Sequence, residues 1–455
     1  MPTFTAEAGP AWLEYVGYNA LLAEKGAALE DGSGVKVMQA EAGSAYAPNA
    51  AWFPHKTFTQ GSATASNGTS GHASSVGINF YGADWDAAQT MTHGISDVTI
   101  YGANDYIGVA LGSSFQKSPP AAQGFDVGNH SYVGGWGNTA NDLTYYADRM
   151  RRFDYVINRD NTVMAVATST AGLMAASYNA ISVGESDGGH GQGLNTKHGE
   201  GRYKPDLVAP GGSTSGSTPI VASAAALLRE AAAGTNAIQN EVIKANLFAG
   251  AAKTFSGIAD GVAYSVTDWS HTTTQPLDQR YGFGEVNIYN SYHIFEGGEF
   301  AASTTEPVSD IGDQGWDYGN FNGTDDLYYN FTIAPGQAAT ELSAALVWND
   351  NVIDDDPSIF FNPASSLANL DLELFDSSGN FLDSLIDASL STAYNTEHIY
   401  LTDLAAGDYT FRLSGDMATD YGFSWRMSTT AVPEPASAAV LGLLTLGAFA
   451  RRRRG

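Results

Sequence analysis

Two regimes of hydrophobic patterning divide the chain. As far as Tyr292, short apolar runs alternate with longer segments of helical spacing, whereas beyond Pro307 only short alternating runs remain. In the first regime, Trp12 to Ala28 carries apolar residues at helical spacing and ends in the acidic, glycine-rich turn Glu30-Asp31-Gly32-Ser33-Gly34. Val35 to Gly43 reads as a strand running into a turn, Asp97 to Gly102 alternates as a strand does, and Thr162 to Gly172 is an apolar strand ending in hydroxyls. Ile220 to Leu228 bears almost no charge on any side, which predicts a helix enclosed by other elements. Pro219 suits its first turn, where a missing N–H breaks nothing. Strand and helix patterns in alternation predict an α/β fold built on a doubly wound parallel sheet.

In the second regime the strands expected are Leu342 to Trp348, Leu370 to Phe375, His398 to Leu401, Tyr409 to Leu413 and Phe423 to Met427. Turns such as Asp376-Ser377-Ser378-Gly379-Asn380 and Ala405-Ala406-Gly407-Asp408 separate them. That spacing predicts an antiparallel β-sandwich of jelly-roll type. The chain therefore divides into a lead-in helix (1–33), an α/β domain (34–298), a polar linker from Glu299 to Pro307, a sandwich (308–430) and a tail (431–455).

Composition narrows the partners. The 455 residues carry 49 Asp and Glu against 21 Lys and Arg, and four of the arginines are the terminal run Arg451 to Arg454. A body this acidic repels nucleic acid and anionic membrane surfaces and stays well solvated, so a monomer is expected. With no cysteine, a disulfide framework, a Cys-ligated zinc and a thiol nucleophile are excluded. The first residues show neither a basic start nor an unbroken apolar run, so they do not read as a signal peptide. At the other end, Val432-Pro433-Glu434-Pro435, the apolar Ala436 to Ala450 and the four arginines resemble a PEP-CTERM sorting tail. The resemblance implies export to the cell surface with transient anchoring in the inner membrane, the arginines remaining cytoplasmic. The apolar run is shorter than the roughly 20 residues that span a bilayer comfortably, so arginine snorkelling and local thinning are implied. Export also implies a leader, and the expected true start lies upstream of Met1.

The chemistry gathers at Gly201 to Glu230, where a Pro/Gly-rich turn leads through Thr214-Ser215-Gly216-Ser217-Thr218-Pro219 into the apolar helix. A serine at such a helix start faces unpaired N–H groups and the positive end of the helix dipole, which favours negative charge on a nearby oxygen. The plain alternative is a Ser/Thr-rich turn that only caps a helix. Lys204-Pro205-Asp206-Leu207-Val208-Ala209-Pro210-Gly211 followed by Thr214 to Pro219 resembles the nucleophile block of the subtilisin-like serine peptidases, with Ser213 where that family usually has glycine. The resemblance assigns the nucleophile to Ser215. Thr69-Ser70-Gly71-His72-Ala73-Ser74-Ser75-Val76-Gly77 is similar to the family's histidine block in weakened form, which implies His72 as general base; of nine histidines it alone has this context.

Where the family's first strand ends in an aspartate that orients the histidine, this chain has Glu41. Glutamate keeps the acceptor charge and adds a methylene; the alternative is an exposed strand-end glutamate with no catalytic role. The order carboxylate, histidine, serine is that of subtilisin. Phe125 to Gly134 resembles the strand whose edge pairs with extended peptide in the family, implying substrate contacts at Asn129, Ser131 and Gly134. The family's oxyanion asparagine is missing; Ser169 is the nearest match and would share the role with the Ser215 backbone N–H. Ala180 to Gly184 and Tyr281 to Asn287 extend the resemblance.

The expectation is an exported serine endopeptidase acting on peptide or protein substrates through an acyl-enzyme, with the alternative of a catalytically weak or inactive surface scaffold on the same fold. An esterase is a third possibility. No cofactor is required. Acidic loops such as Asp354-Asp355-Asp356 suit a structural calcium ion or a solvated charge run.

Overall fold

The computed structural model describes residues 10–432 except 84–88, 113–117, 136–139, 171, 192, 195–197 and 356–360. The sorting-tail sequence beyond Val432 and Asp356 of the acidic run lie outside the described residues. Instead of one lead-in helix there are two, α1 (Trp12–Tyr15) and α2 (Tyr18–Lys25). They break at Gly17, which holds φ of 78°, and a Cβ there would come within 2.9 Å of Asn287 and Tyr289. The glycine serves close approach, and helical spacing alone cannot register that.

Seven strands form the parallel sheet: β1 (Val37–Glu41), β2 (Thr57–Gln60), β3 (Asp97–Gly102), β4 (Val127–His130), β5 (Val163–Ala167), β6 (Ile181–Glu185) and β7 (Leu207–Ala209), in the order β2-β3-β1-β4-β5-β6-β7. Helices α3 (Gly71–Tyr81), α4 (Ala140–Asp160), α5 (Thr214–Ala231), α6 (Asn240–Gly250) and α7 (Ile288–Gly297) accompany it. Alternate residues along a strand point to opposite faces, and two apolar clusters record this. Val37, Val163 and Ala165 join Ile220, Val221 and Leu227 of α5, whereas Met38, Met164 and Val166 join Met150, Phe153 and Ile157 of α4. With both faces covered, the strands read as continuous apolar runs. Every residue of α5 from Ser217 to Leu228 is buried, as the lack of charge along Ile220 to Leu228 predicts.

After α6, the hairpin β8 (Phe255–Ala259) and β9 (Val262–Val266) leaves the sheet. The sandwich follows, made of β10 (Gln314–Phe321), β11 (Leu327–Ile333), β12 (Gln337–Trp348), β13 (Leu370–Asp376), β14 (Ser384–Ser389), β15 (Thr396–Leu401), β16 (Gly407–Gly415) and β17 (Thr419–Ala431). Its two antiparallel sheets run β10-β17-β12-β15 and β11-β16-β13-β14. Between them lie Trp348, Phe331, Phe411, Phe423 and Trp425. Sequence pattern finds five of these strands. It misses β10 because Gly315 and Gly319 look like turn signals, yet a Cβ at Gly315 would sit 2.9 Å from Phe300 and Trp425, and one at Gly319 2.3 Å from the Tyr421 hydroxyl. The rings need those gaps.

A buried polar junction joins the two domains. Asn349 and Asp350, just past β12, enter the α/β domain. Lys244 Nζ donates to Asn349 Oδ1 at 2.7 Å, and the Asp350 N–H donates to Asn179 Oδ1 at 2.7 Å. Asn395 Nδ2 donates to Tyr178 O at 2.9 Å and Trp348 O at 2.7 Å. Despite its burial Asp154 is held low by His198, Ser177 and the Asn179 N–H. Burial, and then the Asp154 charge, push the Asp350 carboxyl up to about 7.

A folded pKa above the unfolded one means the stabilising contribution of Asp350 is whole below an unfolded pKa of about 3.9 and is lost as pH rises through about 7. Scanning calorimetry should therefore find the melting temperature at pH 8 lower than at pH 5 by about 5 °C. Asp350→Asn should shrink that difference; an unchanged difference in the variant contradicts the assignment.

Candidate active site

Glu41 ends β1 and is 2% exposed, so it is not the exposed strand-end residue that the sequence left open. A buried carboxylate needs donors. Its Oε1 accepts from Gln39 Nε2 at 2.8 Å, and its Oε2 lies 2.7 Å from His72 Nδ1. Gln39 precedes Glu41 by two positions and so shares its face of the strand. Gln39 also donates to Ala73 O at 2.9 Å and accepts from the Tyr81 hydroxyl at 2.6 Å. Both contacts reach α3, so one polar chain sets where that helix begins relative to β1.

His72 stands in the first turn of α3, after the cap in which Ser70 Oγ accepts from the Ala73 N–H at 3.1 Å. Its side chain is 51% exposed, one edge on Glu41 and the rest open to solvent. The Glu41 contact holds the imidazole above its ordinary range, with burial opposing. Burial pushes Glu41 upward, against His72 and Gln39. Because both carboxylate oxygens face donors, we assign the charge to Glu41 and the proton to Nδ1, leaving Nε2 as the basic nitrogen.

Ser215 lies in the first turn of α5, where Ser213 Oγ caps the Gly216 N–H at 3.0 Å. Its hydroxyl donates to Ser131 O at 3.3 Å, and Ser131 Oγ donates to Ser215 O at 2.9 Å. Among the described residues no hydrogen bond joins the Ser215 hydroxyl to His72. Helix α3 nevertheless packs on α5, with Asn79 Nδ2 in the last turn of α3 3.5 Å from Gly216 O in the first turn of α5.

The remaining sequence-predicted residues are spread around this point. Asn129 is fully buried on β4; its Nδ2 donates to Ser131 Oγ at 2.9 Å and its Oδ1 is buried without a partner, so the side chain supports Ser131 and does not line a surface. The Gly134 carbonyl accepts from the Leu173 N–H at 3.0 Å, which occupies one acceptor of the expected free edge. Ser169 lies two residues beyond β5, part-exposed, its carbonyl bonded to the Gly172 N–H at 3.1 Å.

Sequence reasoning missed Gln39, Tyr81 and Glu185. Gln39 carried a signal, a polar residue inside an apolar strand on the face of the candidate carboxylate. Glu185, raised chiefly by burial and then by Asp187, accepts from the Thr214 N–H at the start of α5, which only the fold reveals. The neighbouring His130 is no second base, because burial pushes it down to about 3. One group of three donors among the described residues, Glu24, His293 and Glu296, has the spacing of metal ligands. Lys25 already bridges it, at 2.9 Å from Glu24 and 2.7 Å from Glu296. No described helix is long and apolar enough to cross a membrane.

No family model and no curated protein matches the chain. Solved structures similar to it include the prenylagaramide maturation protease PagA, at 16% identity over 58% of this chain and 94% of that one, with a TM-score of 0.38. Another is the MycP3 protease from the type VII (ESX-3) secretion system, at 13% identity over 64% and 90%, with a TM-score of 0.39. MycP1 from Mycobacterium smegmatis matches at 14% identity over 64% and 86%, with a TM-score of 0.37. At these values the likeness carries no argument about chemistry, which rests on the residues themselves.

Histidine NMR titration should find His72 with a pKa above 6.5, and Glu41→Gln should lower it by at least about one unit. An unmoved midpoint contradicts the pairing.

Proposed function

We propose that this chain is an exported serine endopeptidase of the subtilisin-like type, hydrolysing peptide bonds through an acyl-enzyme. The observation that carries this reading is the 2.7 Å contact between a buried carboxylate and His72 Nδ1, on a helix that packs against the one whose first turn holds Ser215. The reading requires the Ser215 hydroxyl to leave Ser131 O and donate to Nε2. His72 then takes the hydroxyl proton as Oγ attacks the carbonyl carbon. Glu41 stabilises the resulting imidazolium, which returns the proton to the leaving amine. Water repeats the sequence to free the acyl group. The Ser215 backbone N–H and the Ser169 hydroxyl hold the oxyanion. With no asparagine donor, turnover is lower by about 10²–10³ than a full oxyanion site allows.

The chemistry requires no metal, and calcium enters this reading only as a structural ion. The boundaries at 34–298 and 308–430 describe a catalytic unit and a sandwich that braces it through the Asn349 and Asp350 junction. The tail supports export and transient membrane anchoring before sorting. A second reading, a surface scaffold that binds without cleaving, is favoured by two contacts: the Ser215 hydroxyl rests on Ser131 O, and the Gly134 carbonyl is taken by Leu173.

A fluorophosphonate probe should label the protein, and Ser215→Ala should abolish the label. His72→Ala should slow labelling by at least about a thousandfold and Glu41→Gln by at least about a hundredfold. Since the base must be neutral and its pKa is raised, the rate should climb with pH through a midpoint above 6.5. Well-folded protein that takes no label at any pH is a scaffold.

A further inference from the structure

Two segments packed on the nucleophile loop differ in origin, and only one belongs to the predicted substrate strand. Ser131, past β4, exchanges two hydrogen bonds with Ser215. The turn of the β8–β9 hairpin sits on Gly212, three positions before the nucleophile. A Cβ built on Gly212 would be 2.7 Å from Asp260 Cβ and 3.4 Å from Asp260 N, and Gly212 holds φ of +69°. No side chain fits between loop and hairpin. Both Asp260 and Gly261 have positive φ, 47° and 80°, which makes a tight two-residue turn of fixed shape.

The hairpin is fastened to the sheet. Its inner face, Phe255, Ala259, Tyr264 and Val266, packs with Val208 of β7 and with Tyr281, and the Tyr264 hydroxyl donates to the buried Glu285 at 2.7 Å. Glu285 in turn bridges Val208 and Ala252. Val262 pairs across the strands with Ala259 and so belongs to this inner face, yet it is 58% exposed while Ala259 is buried. It overhangs the packed cluster at the end nearest Gly212. Ile258, equally bare at 52%, belongs to the outer face.

A polypeptide crossing Ser215 with its acyl half at Ser131 carries its leaving half away from Ser131, and the hairpin turn packed on Gly212 is within three residues of the nucleophile along the same loop. We propose that Asp260 to Val262 forms the wall receiving the residues on the leaving-amine side of the scissile bond, with Val262 selecting an apolar residue there. This rests on the acyl-transfer reading above. The wall is a fixed surface, because the hairpin is tied to the strand that delivers the nucleophile.

The test uses the full chain and a mixture of peptides that differ only in the residue following the cleaved bond, with cleavage followed by mass spectrometry and fluorophosphonate labelling run alongside. Wild type should prefer leucine or phenylalanine over glycine at that position. Val262→Lys should cut this preference by about tenfold, while Ile258→Lys keeps it. Labelled enzyme whose preference is the same in wild type and Val262→Lys overturns the wall, and so does equal loss in both variants. Absence of labelling and cleavage in well-folded wild type overturns the acyl-transfer reading and the wall together.

Discussion

A carboxylate sealed from water at the end of a central strand is the constraint around which the rest of the α/β domain is arranged. Glu41 cannot keep its charge there without donors, and the fold brings two, Gln39 from its own strand and His72 from the start of α3. Gln39 must satisfy its own amide, which draws in Ala73 O and the Tyr81 hydroxyl. The carboxylate therefore fixes both ends of α3 against β1.

The same physics recurs between the domains, with a different result. Lys244, Glu241, Asn349, Asp350 and Asp154 are all buried where the sandwich meets the α/β domain. Burying such groups adds little net stability, because desolvation offsets most of what the contacts return. What it supplies is a single docking geometry: any shift leaves a buried charge or amide unpaired. The sandwich accordingly reaches the α/β domain through α6, which packs on β12 and β17, while its own aromatic core stays separate.

Helix α5 couples these parts. Its body is apolar and lies against β4, β5 and β6, and its first turn carries the nucleophile candidate. Packing places that turn rigidly, with the Ser215 hydroxyl resting on Ser131 O. Glu185 places a negative group at the same helix start, so the local field is less favourable to a developing oxyanion than a bare helix dipole would be.

By itself the sequence determined what periodicity and local chemistry can carry: the parallel sheet, the enclosed helix and the sandwich, with Glu41, His72 and Ser215 as the candidates its resemblance implies. It determined these because apolar spacing reports which face of an element is buried, and residue type reports which chemistry is available. The tertiary structure decided the partners. Ser215 meets Ser131 across 84 positions and His72 meets Glu41 across 31, and no local pattern encodes such a meeting. It also decided the break at Gly17, the strand through Gly315 and Gly319, and the closing of the Gly134 acceptor by Leu173. Each depends on how near another part of the chain comes, a distance set by the packing of the whole.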